Sequence, residues 1–173
     1  MHQYLRQSAR RRVAAWLAAI LAALAIAAPV RADGPIACGA AIGVTPERRA
    51  PLEAFAREVG LQQIDAFVGT VTAIRRTGQL PACYLTRRNA ERLGWRPGQD
   101  LWRTAPGTAI GGDRFRNREG RLPADARYIE ADLDYAGGAR GAHRLVFTEA
   151  PRGQRRLWVT VDHYASFHPV PEP

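Results

Sequence analysis

The sequence predicts an α+β fold, with N-terminal helices packed on a C-terminal antiparallel β-sheet. Apolar residues recur at helical spacing in segments between residues 45 and 94, whereas residues 126–168 carry short β-type runs with turn residues between them. Helices that precede strands, rather than alternating with them, are typical of α+β domains. The length that remains after the N-terminal 32 residues, 141 of the 173 residues, suits one folded domain.

Residues 1–32 are predicted to be a secretory signal peptide that is cleaved after Ala32. A basic start precedes an apolar run from Val13 to Val30, and a small residue ends the segment, which is the order typical of signal peptides. An uncleaved membrane anchor is the alternative, because the run is near the shortest length, about 17 residues, that spans a bilayer. The basic residues are Arg6, Arg10, Arg11 and Arg12.

The remaining chain is mildly basic. Removing 32 of the 173 residues leaves 141, and the loss of five of the 25 basic residues leaves a net charge of +4. All 25 basic residues are arginine. A charge of this size is compatible with a polyanionic partner but is not evidence of one.

The two cysteines, Cys38 and Cys83, are predicted to form a disulfide. An even number of cysteines in an exported chain favours this pairing. Two free thiols or a metal-binding pair are the alternatives, although no cysteine or histidine cluster has the spacing of a zinc site.

Three helices are predicted before residue 95. The first begins at Thr45, with proline in the first helical position, and ends at Gly60. The second runs over residues 65–77 and is followed by a glycine that caps its C-terminus. The third is short and runs from its N-cap Thr86 to Gly94.

Strands are predicted only after a long irregular stretch that proline and glycine punctuate. A hairpin is expected at Pro151-Arg152-Gly153. The predicted strands cover residues 126–133, 144–148, 156–161 and 165–168.

The second half of the chain carries residues suited to phosphodiester cleavage. Glu130 and His163 can serve as general base and general acid, and Arg140 and Arg144 can hold a phosphate. A histidine at a strand end is more often structural, which is the competing interpretation for His163.

Alternation along the strand 126–133 bears on the role of Glu130. A β-strand turns Glu130, Asp132 and Asp134 to one face, and a hairpin would bring Arg140 and Arg144 over that face. One interpretation is a solvated sheet face on which acids and arginines simply pair. The other is that Asp132 orients the two arginines and leaves Glu130 free to move a proton.

The loop Phe115–Gly120 has the composition of a base-recognition loop. Its backbone N–H groups can bond guanine O6, and Glu119 can accept hydrogen bonds from the guanine N1–H and 2-amino groups. Phe115 and Arg118 are candidates for packing and stacking. A solvated, charged turn is the alternative.

A series of short motifs runs in order through residues 80–167. In this order and at these spacings they resemble the barnase and binase group of secreted bacterial guanyl-preferring ribonucleases. The motifs are Leu80-Pro81, Tyr84, Thr86, Leu93-Gly94-Trp95, Ala105-Pro106-Gly107, Ile110-Gly111-Gly112-Asp113, Phe115, Asn117-Arg118-Glu119-Gly120, Leu122-Pro123, Glu130-Ala131-Asp132, Tyr135, Arg140, Arg144 and Asp162-His163-Tyr164.

The resemblance implies a role for each matched residue. Glu130 would take the proton of the RNA 2′-OH, and His163 would protonate the departing 5′-oxygen. Phosphate charge would be stabilised by Arg140, Arg144 and Arg87. The guanine loop would contain Asn117, Arg118 and Glu119, and Tyr164 would line the site.

The resemblance also implies the microbial ribonuclease fold and the overall activity. A monomeric, exported enzyme, secreted or periplasmic, would cut single-stranded RNA after guanine without metal or cofactor, and would not stay on the membrane after signal cleavage. A small acidic intracellular inhibitor of the barstar type would be its partner. The ribonuclease domain would cover residues 64–173, after an extension formed by residues 33–63.

The chain departs from the family pattern at several positions. Arg87 replaces a lysine and Arg116 replaces a small polar residue in the loop, while Cys83 stands where cysteine is not usual. A bridge from Cys83 to Cys38 would pin the extension to the domain. A weakly catalytic nucleic-acid-binding module and a ribonuclease toxin delivered to other cells remain as alternative functions.

Overall fold

Two long helices precede a six-stranded sheet in residues 34–151 and 153–172, the part of the chain that the computed structural model describes. The predicted signal peptide, residues 1–32, lies outside the described residues. The helices are α1 (Pro46–Glu58), α2 (Ile64–Thr77) and α3 (Arg87–Arg92), followed by a 3₁₀ turn at Leu101–Arg103. The strands are β1 (Tyr84–Leu85), β2 (Ala109–Phe115), β3 (Tyr128–Asp132), β4 (Arg144–Thr148), β5 (Leu157–Thr160) and β6 (His168–Pro169).

The strands lie in the sheet in their sequence order, β1 to β6. Every neighbouring pair from β2 onward is antiparallel, and β1 alone among the described strands runs parallel to its neighbour. The predicted α+β class is therefore confirmed. The parallel pairing at one edge is possible because α3 lies between β1 and β2 in the chain and returns it in the same direction.

The predicted starts of α1 and α3 and the predicted end of α2 are confirmed. Thr45 is the N-cap of α1, and the hydroxyl of Thr86 accepts a hydrogen bond of 3.2 Å from the backbone N–H of Asn89 at the start of α3. Gly78 caps α2 with a φ of 81°, and its N–H donates to Ile74 O at 2.8 Å. Glycine suits this position because it lacks the Cβ atom that would be strained in a left-handed backbone conformation.

Strand β2 was not predicted, and the expectation of irregular structure at residues 109–115 is wrong. A Cβ on Gly111 would lie 2.6 Å from the ring of Tyr84 and 2.8 Å from the Cβ of Ala131, so glycine allows neighbouring strands to approach closely. Gly112 has a φ of 94°, at the point where the β2–β3 register shifts by a bulge. The two glycines belong to a strand interior and not to a loop.

Strand β1 was not predicted either, and the other four strands overlap their predicted ranges. β4 matches its prediction, β3 and β5 each lose residues at their ends, and β6 begins only at His168. The pairing of β4 with β5 confirms the hairpin around Pro151; Arg152 lies outside the described residues.

The main core lies between the helices and one face of the sheet. Alternate residues of β3, β4 and β5 point to this side and pack on α1 and α2. The opposite face carries a smaller apolar cluster around Tyr128, Val146 and Trp158, together with the polar residues described below. The main cluster includes Leu52, Ala56, Phe67, Val68, Val71, Ile74, Leu145, Phe147, Leu157 and Val159.

The segment before α2 is attached to the rest of the described chain by packing and by a disulfide. The ring of Phe55 in α1 stacks on that of Phe67 in α2 with centroids 5.9 Å apart. Cys38 and Cys83 form the predicted disulfide, with their Cα atoms 5.5 Å apart. Among the described helices, none has the length and apolar character that a membrane span requires.

The disulfide is expected to contribute about 4 kcal/mol to the free energy of unfolding, because it closes a loop of 45 residues and so lowers the entropy of the unfolded chain. A Cys38→Ala/Cys83→Ala variant should unfold at lower urea concentration than the wild type. Reductant should bring the wild type to the midpoint of the variant and leave the variant unchanged. Equal midpoints of the oxidised wild type and the variant would contradict this expectation.

Candidate active site

Glu130 lies on the sheet face opposite the helices, in the middle of β3. It faces Val146 of β4 on one side and Asp113 of β2 on the other. The hydroxyl of Tyr164 donates a hydrogen bond of 2.7 Å to its Oε2 atom, and the residue is half-buried. One carboxylate oxygen is thus held in place, in a position that solvent or a substrate can reach.

Asp132, two residues further on the same face, binds two arginines. Its carboxylate receives Arg140 in a bidentate contact, with Nε at 2.6 Å and Nη2 at 2.7 Å. The Nε atom of Arg144, its cross-strand neighbour, lies 3.0 Å from Oδ1. The Asp132 side chain is only 2% exposed, so the carboxylate is a buried anchor for two cations.

Arg144 is fixed by contacts beyond this ion pair. Arg144 Nη1 donates hydrogen bonds of 2.7 Å to the carbonyl oxygens of Gly141 and His143. Burial lowers the pKa of Arg140, but the hydrogen bond and charge of Asp132, together with the charges of Tyr164 and Glu130, leave the pKa above its usual value. The hypothesis that Asp132 orients the arginines therefore agrees with the observed contacts.

Asp134 does not share this face, contrary to the alternation argument. β3 ends at Asp132, and Asp134 has a φ of 56°. Its carboxylate instead accepts the backbone N–H groups of Gln62 and Gln63 just before α2, at 2.7 to 3.0 Å. It also lies 2.7 Å from Nδ1 of His143, so it joins the start of α2 to the end of the loop that carries Arg140.

His163 lies exposed in the turn between β5 and β6. His163 and Tyr164 have φ values of 54° and 71°, a left-handed conformation that costs energy and is concentrated at functional sites. Thr160 Oγ1 supports the turn, because it donates to Asp162 at 2.9 Å and accepts the N–H of Tyr164 at 3.0 Å. The turn that presents the imidazole is therefore built by specific contacts.

Asp162 holds the other side of the same turn. Its carboxylate accepts the hydroxyl of Ser166 at 2.6 Å and the Ser166 N–H at 2.9 Å. These bonds, with the Ser166 hydroxyl first, lower the pKa of Asp162 to about 2. Asp162 therefore stays ionised at neutral pH, and its hydrogen bonds hold the turn together.

Tyr164 joins the imidazole turn to Glu130 and to the predicted base-recognition loop. Burial, followed by the hydrogen bond to the Glu130 carboxylate, raises the pKa of Tyr164 to about 12, so the phenol remains a donor. Its ring stacks on Phe115 with centroids 5.1 Å apart and an interplanar angle of 25°. Phe115 thus packs beneath the site, in agreement with the packing role considered for it.

The loop after Phe115 is shaped by Asn117. The Asn117 side chain donates to Leu122 O at 2.7 Å and accepts the Leu122 N–H at 3.0 Å, and its φ is 45°. Arg118 and Glu119 at the tip are exposed, as is Arg116. Asn117 is thus a loop-forming residue, and the charged side chains at the tip are free to meet a ligand.

Arg87 is connected to the site through the backbone. Its N–H donates a hydrogen bond of 2.7 Å to Oδ2 of Asp113, which is the cross-strand neighbour of Glu130. The side chain of Arg87 is exposed at the start of α3. The fold therefore brings the start of this helix next to β2, the strand that pairs with the Glu130 strand β3.

The supporting residues of the site had not been predicted from the sequence. Asp113 and Asp162 occur within quoted motifs but had no assigned role, and Thr160 was not considered. A short polar residue beside a turn is the local signal for such contacts, and it would have suggested Thr160 and Asp162. The Asp113–Arg87 contact spans 26 residues and has no local signal.

One sheet face thus combines a carboxylate with two arginines, and Tyr164 links it to the turn that carries His163. Glu130 accepts a hydrogen bond from the Tyr164 hydroxyl, and Arg140 and Arg144 carry positive charge that Asp132 holds on the same face. Among the described residues, no three His, Cys, Asp or Glu side chains come together as a metal site. Preorganised cations of this kind stabilise negative charge that develops on a phosphate.

Comparison with known proteins identifies similar chains. Residues 69–171, more than half of the sequence, match the family model described as ribonuclease. The chain is 41% identical over 110 residues to proteins named ribonuclease from Bacillus intermedius and Bacillus pumilus, and the match covers 62% of this chain and 65% of each relative. A protein of the same name from Heyndrickxia coagulans is 41% identical over 107 residues, covering 60% of this chain and 94% of the relative.

Proposed function

The chain belongs to the ribonuclease family whose model it matches over residues 69–171, and from this premise we propose that it is an endoribonuclease. Its substrate is single-stranded RNA, cut preferentially after guanine. The observation that carries the proposal is the grouping of Glu130, bonded to Tyr164, with the Asp132-bound arginines on one face of the sheet. A binding module would need no proton acceptor beside its phosphate-binding cations.

The first step is an internal transesterification. The 2′-oxygen of the guanosine attacks phosphorus while Glu130 takes the 2′-OH proton. The bond from phosphorus to the 5′-oxygen breaks, and His163 protonates that oxygen as it leaves. The products are a 2′,3′-cyclic phosphate and a 5′-hydroxyl end, and each proton transfer contributes about 10²- to 10⁴-fold.

The second step is hydrolysis of the cyclic phosphate with the two roles exchanged. His163 takes a proton from water as the water oxygen attacks phosphorus, and Glu130 returns a proton to the 2′-oxygen. The product ends in a 3′-phosphate. In both steps Arg140 and Arg144, with Arg87 from the neighbouring helix, stabilise the charge that accumulates on the phosphate oxygens. Every proton and charge is handled by side chains, so the proposed reaction requires no metal.

The direct test is incubation of the purified protein with an oligoribonucleotide that contains one guanosine, in the presence of EDTA. We expect a single cut after the guanosine, a cyclic phosphate that appears first and a 3′-phosphate that replaces it. A substrate with 2′-deoxyguanosine at that position should stay intact. Intact RNA after long incubation with folded protein would refute the proposed activity.

The rate of cleavage is expected to depend on pH as a bell-shaped curve. Activity falls in acid as Glu130 takes a proton and loses its role as base, and falls in alkali as His163 loses the proton that it must donate. Tyr164 does not account for the alkaline limb, since its pKa is about 12. Measurement of kcat/KM from pH 4 to 10 tests this, and a flat profile would contradict the pairing of the two groups.

Replacement of Glu119 with alanine is expected to reduce base preference. The exposed carboxylate would no longer accept the guanine N1–H and 2-amino groups, so cleavage after guanosine should fall by about 10-fold or more, the loss of hydrogen bonds to a charged group. Cleavage after adenosine should change little, as measured with two substrates that differ only at that base. An equal loss on both substrates would contradict the base-reading role.

We also propose export from the cell and regulation by a protein inhibitor. The Cys38–Cys83 disulfide suits an oxidising compartment, and the predicted signal peptide would provide the route. A small acidic inhibitor would suit the exposed cations around the site, and the enzyme itself would be monomeric. Fractionation of producing cells tests the first proposal, since an exclusively intracellular protein would exclude it.

A further inference from the structure

A second group of cations lies along α3 and just beyond it, outside the site described above. Arg88, Arg92 and Arg96 line a cleft of about 390 Å³, with Glu91 as the fourth residue of its wall. All three arginines are exposed. We name this feature the arginine cleft.

The positive charge of the arginine cleft is not neutralised by carboxylates. No ion pair within the described part of the chain involves any of its three arginines. Glu91 lies in the cleft but does not pair with them. Three like charges around one cleft repel each other, and surfaces without a charged ligand usually interleave the two signs. The arrangement therefore favours an anionic ligand.

Two of the guanidinium groups are held by neutral oxygens, which leave their charge intact. Arg92 donates to the side-chain oxygen of Asn89. Arg96 donates from Nη1 to the carbonyl oxygens of Trp95 at 3.0 Å and Glu91 at 3.3 Å. Because Arg88 and Arg92 are four residues apart on a helix, their side chains emerge on the same side. The cations are partly preorganised in a row.

The arginine cleft begins one residue after Arg87 in α3. Arg88 follows Arg87, whose N–H binds Asp113 beside Glu130. The start of α3 is therefore common to both features, and an RNA strand bound at Arg87 has to pass round one helix to reach Arg88 and Arg92. Guanidinium groups bind phosphate oxygens in a forked geometry, and an unpaired strand offers a phosphate at every nucleotide.

We propose that the arginine cleft is an auxiliary binding surface for the sugar–phosphate backbone of single-stranded RNA, beyond the nucleotides at the cleaved bond. The inference rests on the proposed ribonuclease function. It predicts that long RNA is bound and cut more efficiently than a dinucleotide, and that the gain depends on salt. Phosphate contacts of this kind carry affinity without base specificity.

The test compares the wild type with an R88A/R92A/R96A variant on two substrates. One is a dinucleotide with guanosine on the 5′ side, and the other is a 12-nucleotide RNA with one guanosine. The variant should cut the dinucleotide at the wild-type kcat/KM and lose about 10-fold or more on the longer RNA at low salt. The slope of log kcat/KM against log salt for the longer RNA should become shallower by about 2, because three single-strand phosphate contacts are lost.

A charge-matched R48A/R76A/R103A variant is the control, since these three exposed arginines lie on other parts of the fold and also make no ion pair within the described chain. It should behave as the wild type on both substrates. A loss of the same size in the control would reduce the effect to net charge and overturn the proposal. Equal losses of the cleft variant on both substrates, or no loss on the longer RNA, would also overturn it.

A Glu91→Gln variant provides a test with the opposite sign. Removing the carboxylate from the cleft should raise kcat/KM on the 12-nucleotide RNA and leave the dinucleotide unchanged. An unchanged or lower rate on the longer RNA would contradict a phosphate path through the cleft. Failure of the wild type to cut either substrate would refute the proposed ribonuclease function itself. That outcome is distinct from a refutation of the cleft proposal, in which the wild type cuts RNA but the cleft variants do not behave as expected.

Discussion

A His163→Asn variant is expected to lose about 10²- to 10⁴-fold in kcat/KM for RNA while keeping its fold, since it removes one proton-transfer group. Asparagine is chosen because the backbone at this position has a φ of 54°, and asparagine adopts that conformation more readily than alanine does. His163 is exposed, so its replacement leaves the core unchanged. Single-turnover cleavage of a guanosine-containing oligonucleotide measures the loss, and urea denaturation checks the fold.

His168→Asn is the matched control for His163. His168 lies in β6, pairs with Val159 and is half-buried, so it has the same titratable group without a position at the proposed site. Its replacement should leave kcat/KM within about two-fold, because a strand-edge residue that moves no proton contributes nothing to the barrier. Near-normal activity of His163→Asn, or an equal loss in both variants, would remove His163 from the mechanism.

The candidate site was predictable from sequence where local rules act. Alternation along a strand is a property of every β-strand, and it was sufficient to place Glu130 and Asp132 on one face and to suggest that Asp132 binds arginines. The contact from Tyr164 to Glu130 joins residues 34 apart. No local sequence pattern encodes this contact, because it depends on how β3 and the β5–β6 turn meet in the folded sheet.

The fold shows the same division between local and tertiary information. Helix ends at Gly78 and Thr86 follow from capping contacts within one or two turns, and the start at Thr45 follows from the proline in the first helical position. Strand β2 does not follow, because two glycines in sequence are typical of a loop. At Gly111 the absence of a side chain is required by the close approach of Tyr84 and Ala131, and that requirement exists only once three strands have assembled.

An Asp132→Asn variant is expected to lose about 3 to 5 kcal/mol of folding stability, the usual effect of removing one partner from a buried ion pair. The carboxylate is 2% exposed and lies within 3.0 Å of both Arg140 and Arg144. An amide of nearly the same shape leaves the buried Arg144 and the half-buried Arg140 without their counter-ion, so the loss reports charge and not packing. The free energy of unfolding, measured by urea denaturation at neutral pH, tests this.

Cleavage by the folded fraction of Asp132→Asn should also fall, by about 100-fold, because displacement of positioned groups by about 1 Å has effects of that size. Asp125→Asn is the matched control, because it breaks an exposed ion pair. Asp125 lies 3.3 Å from Arg156, and its side chain is 75% exposed. Exposed pairs contribute about 0 to 1 kcal/mol to folding stability. If Asp132→Asn were as stable and as active as Asp125→Asn, the arginines would hold their positions without the buried carboxylate. If stability fell but the folded fraction kept wild-type kcat/KM, Asp132 would stabilise the fold without orienting the phosphate-binding groups.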